Sequence, residues 1–355
     1  MKGSRSIFIN GGFTTQPLTG VQRYARELTR RMLDRQRERP DAGKEIRIIA
    51  PRGQHDGFVR RNLWEQVDLL AASFRGILFS PSNLGPWLHP RHIVTIHDMR
   101  AYSSAHSDSL PQRTLKWHQA SLRVLSKTSA MILTDSYYSQ KCIIEQFGLP
   151  EEKVRVVYPG ADHVLDVGAD ESILGRLNIR PSKYVLAVGS LYPHKNIRIL
   201  HSIAWEKYEL TLCIVGDAPN TKARAFQKIA DEAREERSGI LYIGRRSDEE
   251  IRALYTHALA YVFPSLYEGF GFPPLEAMYC RCPVIASDRT SIPEICGEAA
   301  LYFDPFSTNS LENAVERIVM DENLRGDLAE KGEKRASKFK WELTADQVMR
   351  LLSEL

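Results

Sequence analysis

No stretch of the 355-residue chain approaches the roughly 18 consecutive apolar residues needed to cross a bilayer. The opening MKGSRSIFINGG likewise has too short an apolar run for a secretory leader. The expectation is a globular, cytoplasmic protein. Cysteine is scarce, five in all and at no metal-ligand spacing. That fits a reducing compartment better than a disulfide framework. Cys280 and Cys282 read as buried packing. There is no solenoid-length repeat and no low-complexity tract. The first apolar run is followed by NGGFTTQPLTG, which lacks the G-x-G-x-x-G spacing of a dinucleotide-dependent dehydrogenase. A net charge of +4 is too small to argue for a nucleic-acid partner.

What the chain does have is rhythm. SIFIN, EIRIIA, GILFS, HIVTI, AMILT and VRVVY are short β-rich runs separated by segments of helical period. The pattern then restarts with YVLAVGS, ELTLCIVG, GILYIG, LAYVFPS, PVIAS and ALYFD, interleaved with TKARAFQKIADEAREER and SDEEIRALYTHA. Alternation of this kind predicts an α/β protein with two parallel sheets, each covered by helices on both faces. The boundary falls near Pro159 to Gly168.

Ligands of open parallel sheets bind beyond the carboxyl ends of the strands, where glycine-rich turns lead into helices. Gly11 and Gly12 follow the first strand, with Gly20 just before a long helix. VGSLYPHKN follows the first strand of the second half and contains Gly189, Ser190 and Lys195. In YVFPSLYEGFGFPPLEAMY, Gly269 and Gly271 free backbone amides, Pro273 and Pro274 fix a helix entry, and Glu276 is expected in that helix's first turn. Amides and a lysine suit a diphosphate, and a carboxylate suits ribose hydroxyls.

The E-x7-E spacing of Glu268 and Glu276, followed by PVIASDRTSIPEICGEAALYFDP, resembles the signature of retaining GT-B glycosyltransferases of family four. TGVQRYARELTRRM, NLWEQVDL, VTIHDM, LTDSYYSQKCII, VRVVYPGAD, AVGSLYPHKNI and FKWELTA are similar to that family's landmarks, in its order. The resemblance implies a GT-B architecture of two Rossmann-like domains facing across a cleft. Residues 1–163 would bind acceptor, residues 164–338 would bind the sugar nucleotide, and residues 339–355 would form a helix crossing back to the first domain. It implies further that His97, Glu268 and Lys195 serve catalysis. Gly11, Gly12, Gly189, Ser190, Gly269, Phe270, Gly271, Phe272, Leu275 and Glu276 would line the donor site, Glu276 on ribose. Ser190 stands where many members carry arginine, so the positive clamp would rest on Lys195 with Arg198. Arg281 replaces a frequent glycine, so the turn there must accept a side chain.

Breaking a bond between a sugar and a diphosphate leaves negative charge on phosphate, so the site must stabilise a leaving group. The two glutamates share one segment, which favours same-face attack over a covalent glycosyl-enzyme. No D-x-D triplet occurs, in keeping with the family expectation that no metal is required. No cofactor is implied, the nucleotide sugar being a substrate. The resemblance is closest to bacterial mannosyltransferases that use GDP-mannose for O-antigen or exopolysaccharide. UDP- or dTDP-sugar transfer, and a GT-B epimerase or hydrolase, are the alternatives. Arg198 and Arg245 are candidate phosphate contacts, and each residue also has a plainer reading: His97 as a satisfied buried histidine, Asp135 and Ser136 as strand end and helix N-cap, Arg245 and Arg246 as simple surface. Finally, the first helix carries seven arginines against three acids, and Arg113, Lys116, Trp117 and Arg123 follow in the same half. Two readings stand open: solvated helix faces, or a face resting on anionic lipid near a polyprenyl-diphosphate-linked acceptor, peripheral to the inner membrane surface.

Overall fold

The computed structural model describes residues 6–38, 44–51, 58–103, 112–216 and 239–355. The helix expected over TKARAFQKIADEAREER lies outside them. The chain divides into two compact units, residues 1–160 with 340–355, and residues 161–339.

In the first unit β1 (Ile7–Asn10), β2 (Ile46–Ile49), β3 (Ile77–Ser80), β4 (His92–Thr95), β5 (Met131–Thr134) and β6 (Val154–Val156) form one sheet of order β2-β1-β3-β4-β5-β6. Every pairing is parallel. β3, β4 and β5 are buried at every position, as strands covered on both faces must be. That is why they appear in the sequence as unbroken apolar runs. The strand order reverses direction between β1 and β3, the place where ligands of open parallel sheets bind.

The long helix Gly20–Glu38 turns Tyr24, Leu28 and Met32, each fully buried, to one side. The helix Trp341–Ser353 answers with Trp341, Ala345, Val348 and Leu352, also fully buried. The two helices pack together, with the Tyr24 and Trp341 rings edge-on at 5.9 Å. The expected return of the C-terminal helix to the N-terminal domain is borne out. A side chain at Gly160 would place its Cβ 2.1 Å from the Trp341 nitrogen, so only glycine allows this crossing. On the same helix pair Arg35 reaches Glu342 at 3.0 Å and Asp346 at 3.2 Å, and Arg31 reaches Glu342 at 3.5 Å. Part of the arginine-rich stripe considered for lipid is therefore engaged inside the unit.

The second unit repeats the design with β7 (Tyr184–Val188), β8 (Thr211–Val215), β9 (Ile240–Gly244), β10 (Ala260–Phe263), β11 (Val284–Ser287) and β12 (Ala300–Phe303). Their order is β12-β11-β10-β7-β8-β9, again all parallel. Every predicted apolar run is a strand. This is the doubly wound order of mononucleotide-binding folds, and its switch point lies between β7 and β10. Helix starts follow sequence chemistry: Ser247 and Glu250 form a reciprocal capping box on Asp248–His257, and Ser136 caps Tyr137–Phe147. Arg281 adopts φ 57°, so the turn keeps a glycine-like conformation while carrying a side chain.

Candidate active site

Two loops leave the switch point of the second sheet. The one after β7 runs through Gly189 and Ser190 into a 3₁₀ turn, Pro193–Lys195. The one after β10 runs through Glu268 to the helix Phe272–Tyr279. The Leu266 amide donates to the His194 carbonyl at 2.7 Å and ties the loops together. Lys195 Nζ then donates to Glu268 Oε1 at 2.6 Å, with the two side chains only 18% and 14% exposed. The ammonium also stands 5.6 Å from the centre of the Phe263 ring. The glycine-rich turn is braced from behind. The Glu268 amide donates to Thr290 Oγ1 at 3.1 Å, and the buried Ser291 hydroxyl lies 3.0 Å from the Glu268 carbonyl and 2.8 Å from that of Phe270. Gly271, at φ 129°, caps the helix in a conformation that side chains rarely adopt.

The helix begins at Phe272, one residue before the prolines, which moves Glu276 out of the first turn, where the sequence reading had put it, into the second. There the carboxylate is positioned by side chains rather than by the helix dipole. His163 Nε2 donates to Oε1 at 3.0 Å, and the Tyr255 hydroxyl donates to Oε2 at 3.4 Å. Burial and the charge of Glu276 hold the Tyr255 hydroxyl well above its ordinary pKa, so it remains a donor. The Phe272 ring stands edge-on to His163 at 6.1 Å. Phe270 and Leu275 point into the core, 4% and 0% exposed. Arg198 and Arg245 are exposed near the carboxyl-end loops, and beside Arg198 a 2.7 Å contact joins His201 Nε2 to the Tyr242 hydroxyl. Burial and the Arg198 charge lower the His201 pKa.

In the first unit the switch point carries Gly11 and Gly12. A Cβ on Gly11 would meet the Ile49 carbonyl at 2.7 Å. Asn10 holds the turn, accepting from the Gly12 amide at 3.0 Å and donating to Ser80 Oγ at 3.2 Å and the Leu84 carbonyl at 3.3 Å. Behind Gly12 lie Trp64 and Glu65, on a π-helical turn. Burial pushes the Glu65 carboxyl up to about 7, against the lowering effects of Arg61 and Asn10.

His97 is held at both ring nitrogens. Nδ1 is 2.6 Å from Asp135 Oδ2 and Nε2 is 2.9 Å from the Pro81 carbonyl. Burial works against a charged imidazole, but the Asp135 carboxylate outweighs it and lifts His97 above its ordinary value. Burial in turn raises Asp135, with His97 offsetting part of the effect. The plainer reading of His97, a satisfied buried histidine at a strand end, describes its place in this unit. Trp117 stacks on Trp87 at 5.1 Å, Arg113 and Lys116 are exposed, and Arg123 neighbours the Tyr102 hydroxyl.

The structure thus brings Lys195 and Glu268 together and sets Glu276 in the same unit, with His97, Gly11 and Gly12 in the other. Sequence reasoning missed His163, Tyr255, Thr290 and Ser291. Tyr255, Thr290 and Ser291 lie within the segments SDEEIRALYTHA and PVIASDRTSIPEICGEAALYFDP, and His163 directly follows VRVVYPGAD; position was their only signal. Among the described residues no group of three or more His, Cys, Asp or Glu is placed to hold a metal ion.

Residues 171–335 match the family model described as Glycosyl transferases group 1, and residues 37–165 match Glycosyltransferase Family 4. The chain is 28% identical over 302 residues to O-antigen chain mannosyltransferase B of Escherichia coli, covering 82% of this chain and 76% of that one. It is 30% identical over 228 residues to O-antigen chain mannosyltransferase RfbU of Salmonella typhimurium, covering 63% and 60%. Its fold is similar to that of Anabaena HepE, solved in complex with UDP and glucose, at TM-score 0.75 and 17% identity over 99% of this chain and 100% of that one. At that identity the likeness speaks for the fold alone. What fold and matches establish together is a glycosyltransferase of GT-B fold, related at 28–30% identity to bacterial mannosyltransferases.

Proposed function

We propose that the chain transfers a hexose, with retention at the anomeric carbon, from a nucleotide-diphosphate sugar to a glycan or lipid-linked acceptor of cell-surface polysaccharide. The observation that carries this reading is the Lys195–Glu268 contact at the switch point of the second sheet. A cation and a carboxylate side by side at this switch point support the reading, since the first would suit a diphosphate and the second sugar hydroxyls. In the reaction the bond from the anomeric carbon to phosphate oxygen breaks with its electron pair going to the diphosphate. The acceptor oxygen bonds to the same face, and its proton passes to the departing phosphate oxygen. Lys195 and the amides of Gly269 to Phe272 stabilise the charge that develops. Glu276 accepts from ribose, and no metal takes part.

Two donor readings have support. The curated relatives are named mannosyltransferases, which favours GDP-mannose. The alternative, a UDP- or dTDP-sugar, draws on likeness of fold alone, since the protein solved with UDP and glucose is 17% identical. Calorimetry with GDP-, UDP- and dTDP-sugars separates them, and binding to none of them overturns the proposal. Turnover of donor with no acceptor present would mark a hydrolase or epimerase instead.

The first unit is proposed to take the acceptor, with the exposed Arg113 and Lys116 and the nearby Arg123 toward anionic lipid. Among the described residues no helix is long and apolar enough to cross a membrane. Flotation with phosphatidylserine vesicles at low salt should recover the protein. No recovery, or recovery indifferent to charge reversal at Arg113, Lys116 and Arg123, rejects the lipid face.

A further inference from the structure

We infer that His163 is a positioning residue for nucleotide recognition: it orients the Glu276 carboxylate so that ribose, and not a deoxygenated sugar, is accepted. This rests on the reading of Glu276 as the ribose ligand. His163 lies on the 3₁₀ turn Asp162–Leu165, 113 positions before Glu276 in sequence. Its side chain is 5% exposed and that of Glu276 is 13% exposed. An ionised carboxylate only accepts, so the Nε2 that faces it at 3.0 Å must carry the proton. Tyr255, fully buried on the helix Asp248–His257, bonds the other oxygen at 3.4 Å. A donor on each oxygen fixes the plane of the group.

A glutamate side chain has three rotatable bonds, and holding it in advance removes an ordering cost that ribose binding would otherwise bear. The arrangement parallels the way outer ligands orient the groups that touch a substrate or metal. Phe272 against the imidazole keeps the ring from turning away.

The test uses GDP and UDP with their 2′,3′-dideoxy counterparts, titrated into the full-length protein by calorimetry. Wild type should bind the better ribonucleotide roughly tenfold or more tightly than its dideoxy form. His163→Ala should lower that ratio by about fivefold or more, and His163→Gln, which keeps an N–H donor, should retain most of it. Because the readout is a ratio within one variant, loss of folded protein does not mimic it. If Glu276→Ala abolishes the ratio and His163→Ala leaves it at the wild-type value, the positioning role is overturned while the ribose reading stands. If wild type binds neither nucleotide, or Glu276→Ala keeps the ratio, the ribose reading falls and takes this inference with it.

Discussion

Replacing Lys195 by methionine keeps the length of the side chain and removes its charge. The ammonium is held by Glu268 at 2.6 Å, and both side chains are mostly withdrawn from water. A nucleoside diphosphate must therefore draw Lys195 partly away from a carboxylate it already has. The two members of the pair should then respond with opposite sign. Lys195→Met removes a charge-assisted hydrogen bond to phosphate, which contributes about 1.5–3 kcal/mol, so the Kd for the diphosphate should rise roughly 10- to 150-fold. Glu268→Gln removes the internal competitor, so the diphosphate should bind as well as in wild type or a few-fold more tightly, while sugar transfer falls. The assay is calorimetry with a nucleoside diphosphate and with the nucleoside of the same base. Lys195→Met should weaken only the first. An unchanged diphosphate Kd in Lys195→Met, or an equal loss in Glu268→Gln, refutes the role of the pair.

Trp341→Ala, at one of the largest fully buried side chains, should cost the first unit about 3–5 kcal/mol in urea unfolding. A loss below about 1 kcal/mol would mean that the C-terminal helix is not part of its core. Because Asp135 lifts the His97 pKa in the folded protein, the proton on His97 stabilises fully below its ordinary value of about 6.5 and the contribution is lost as pH rises through the raised value. His97→Gln should flatten the fall in unfolding free energy as pH rises above about 6.5, and a variant with an equally steep fall rules this out. Arg281→Gly, at φ 57°, should raise stability by about 1 kcal/mol by relieving a left-handed residue. A thermal midpoint below that of wild type contradicts the strain.

Both sheets were legible because strands buried on two faces leave continuous apolar runs, and glycines and prolines mark where those runs stop. For the same reason the loops at the carboxyl ends drew attention to Lys195, Glu268 and Glu276. What sits around them was not legible. His163 meets Glu276 across 113 residues, and Ser291 braces Phe270 through a backbone carbonyl, contacts that leave no local pattern. A motif also says nothing of saturation: it left two readings of His97, and only the fold shows the Pro81 carbonyl at its second nitrogen. Charge read along a helix is blind in the same way. Arg31 and Arg35 looked solvated or lipid-facing, yet Glu342 and Asp346 approach them from the other end of the chain.

The helix Trp341–Ser353 also sets a timetable. Arg35 and Asp346 are partners 311 residues apart, and ribosomes add about 5–20 residues per second. For about 15–60 s after the first helix emerges, the face of its Tyr24, Leu28 and Met32 stripe that meets Trp341 lacks that cover. The second unit, contiguous from 161 to 339, can close in that interval, before the first. A nascent chain of this topology is exposed to aggregation through its oldest segment, and stalling or cleavage ahead of Trp341 would leave the second unit whole and the first one open.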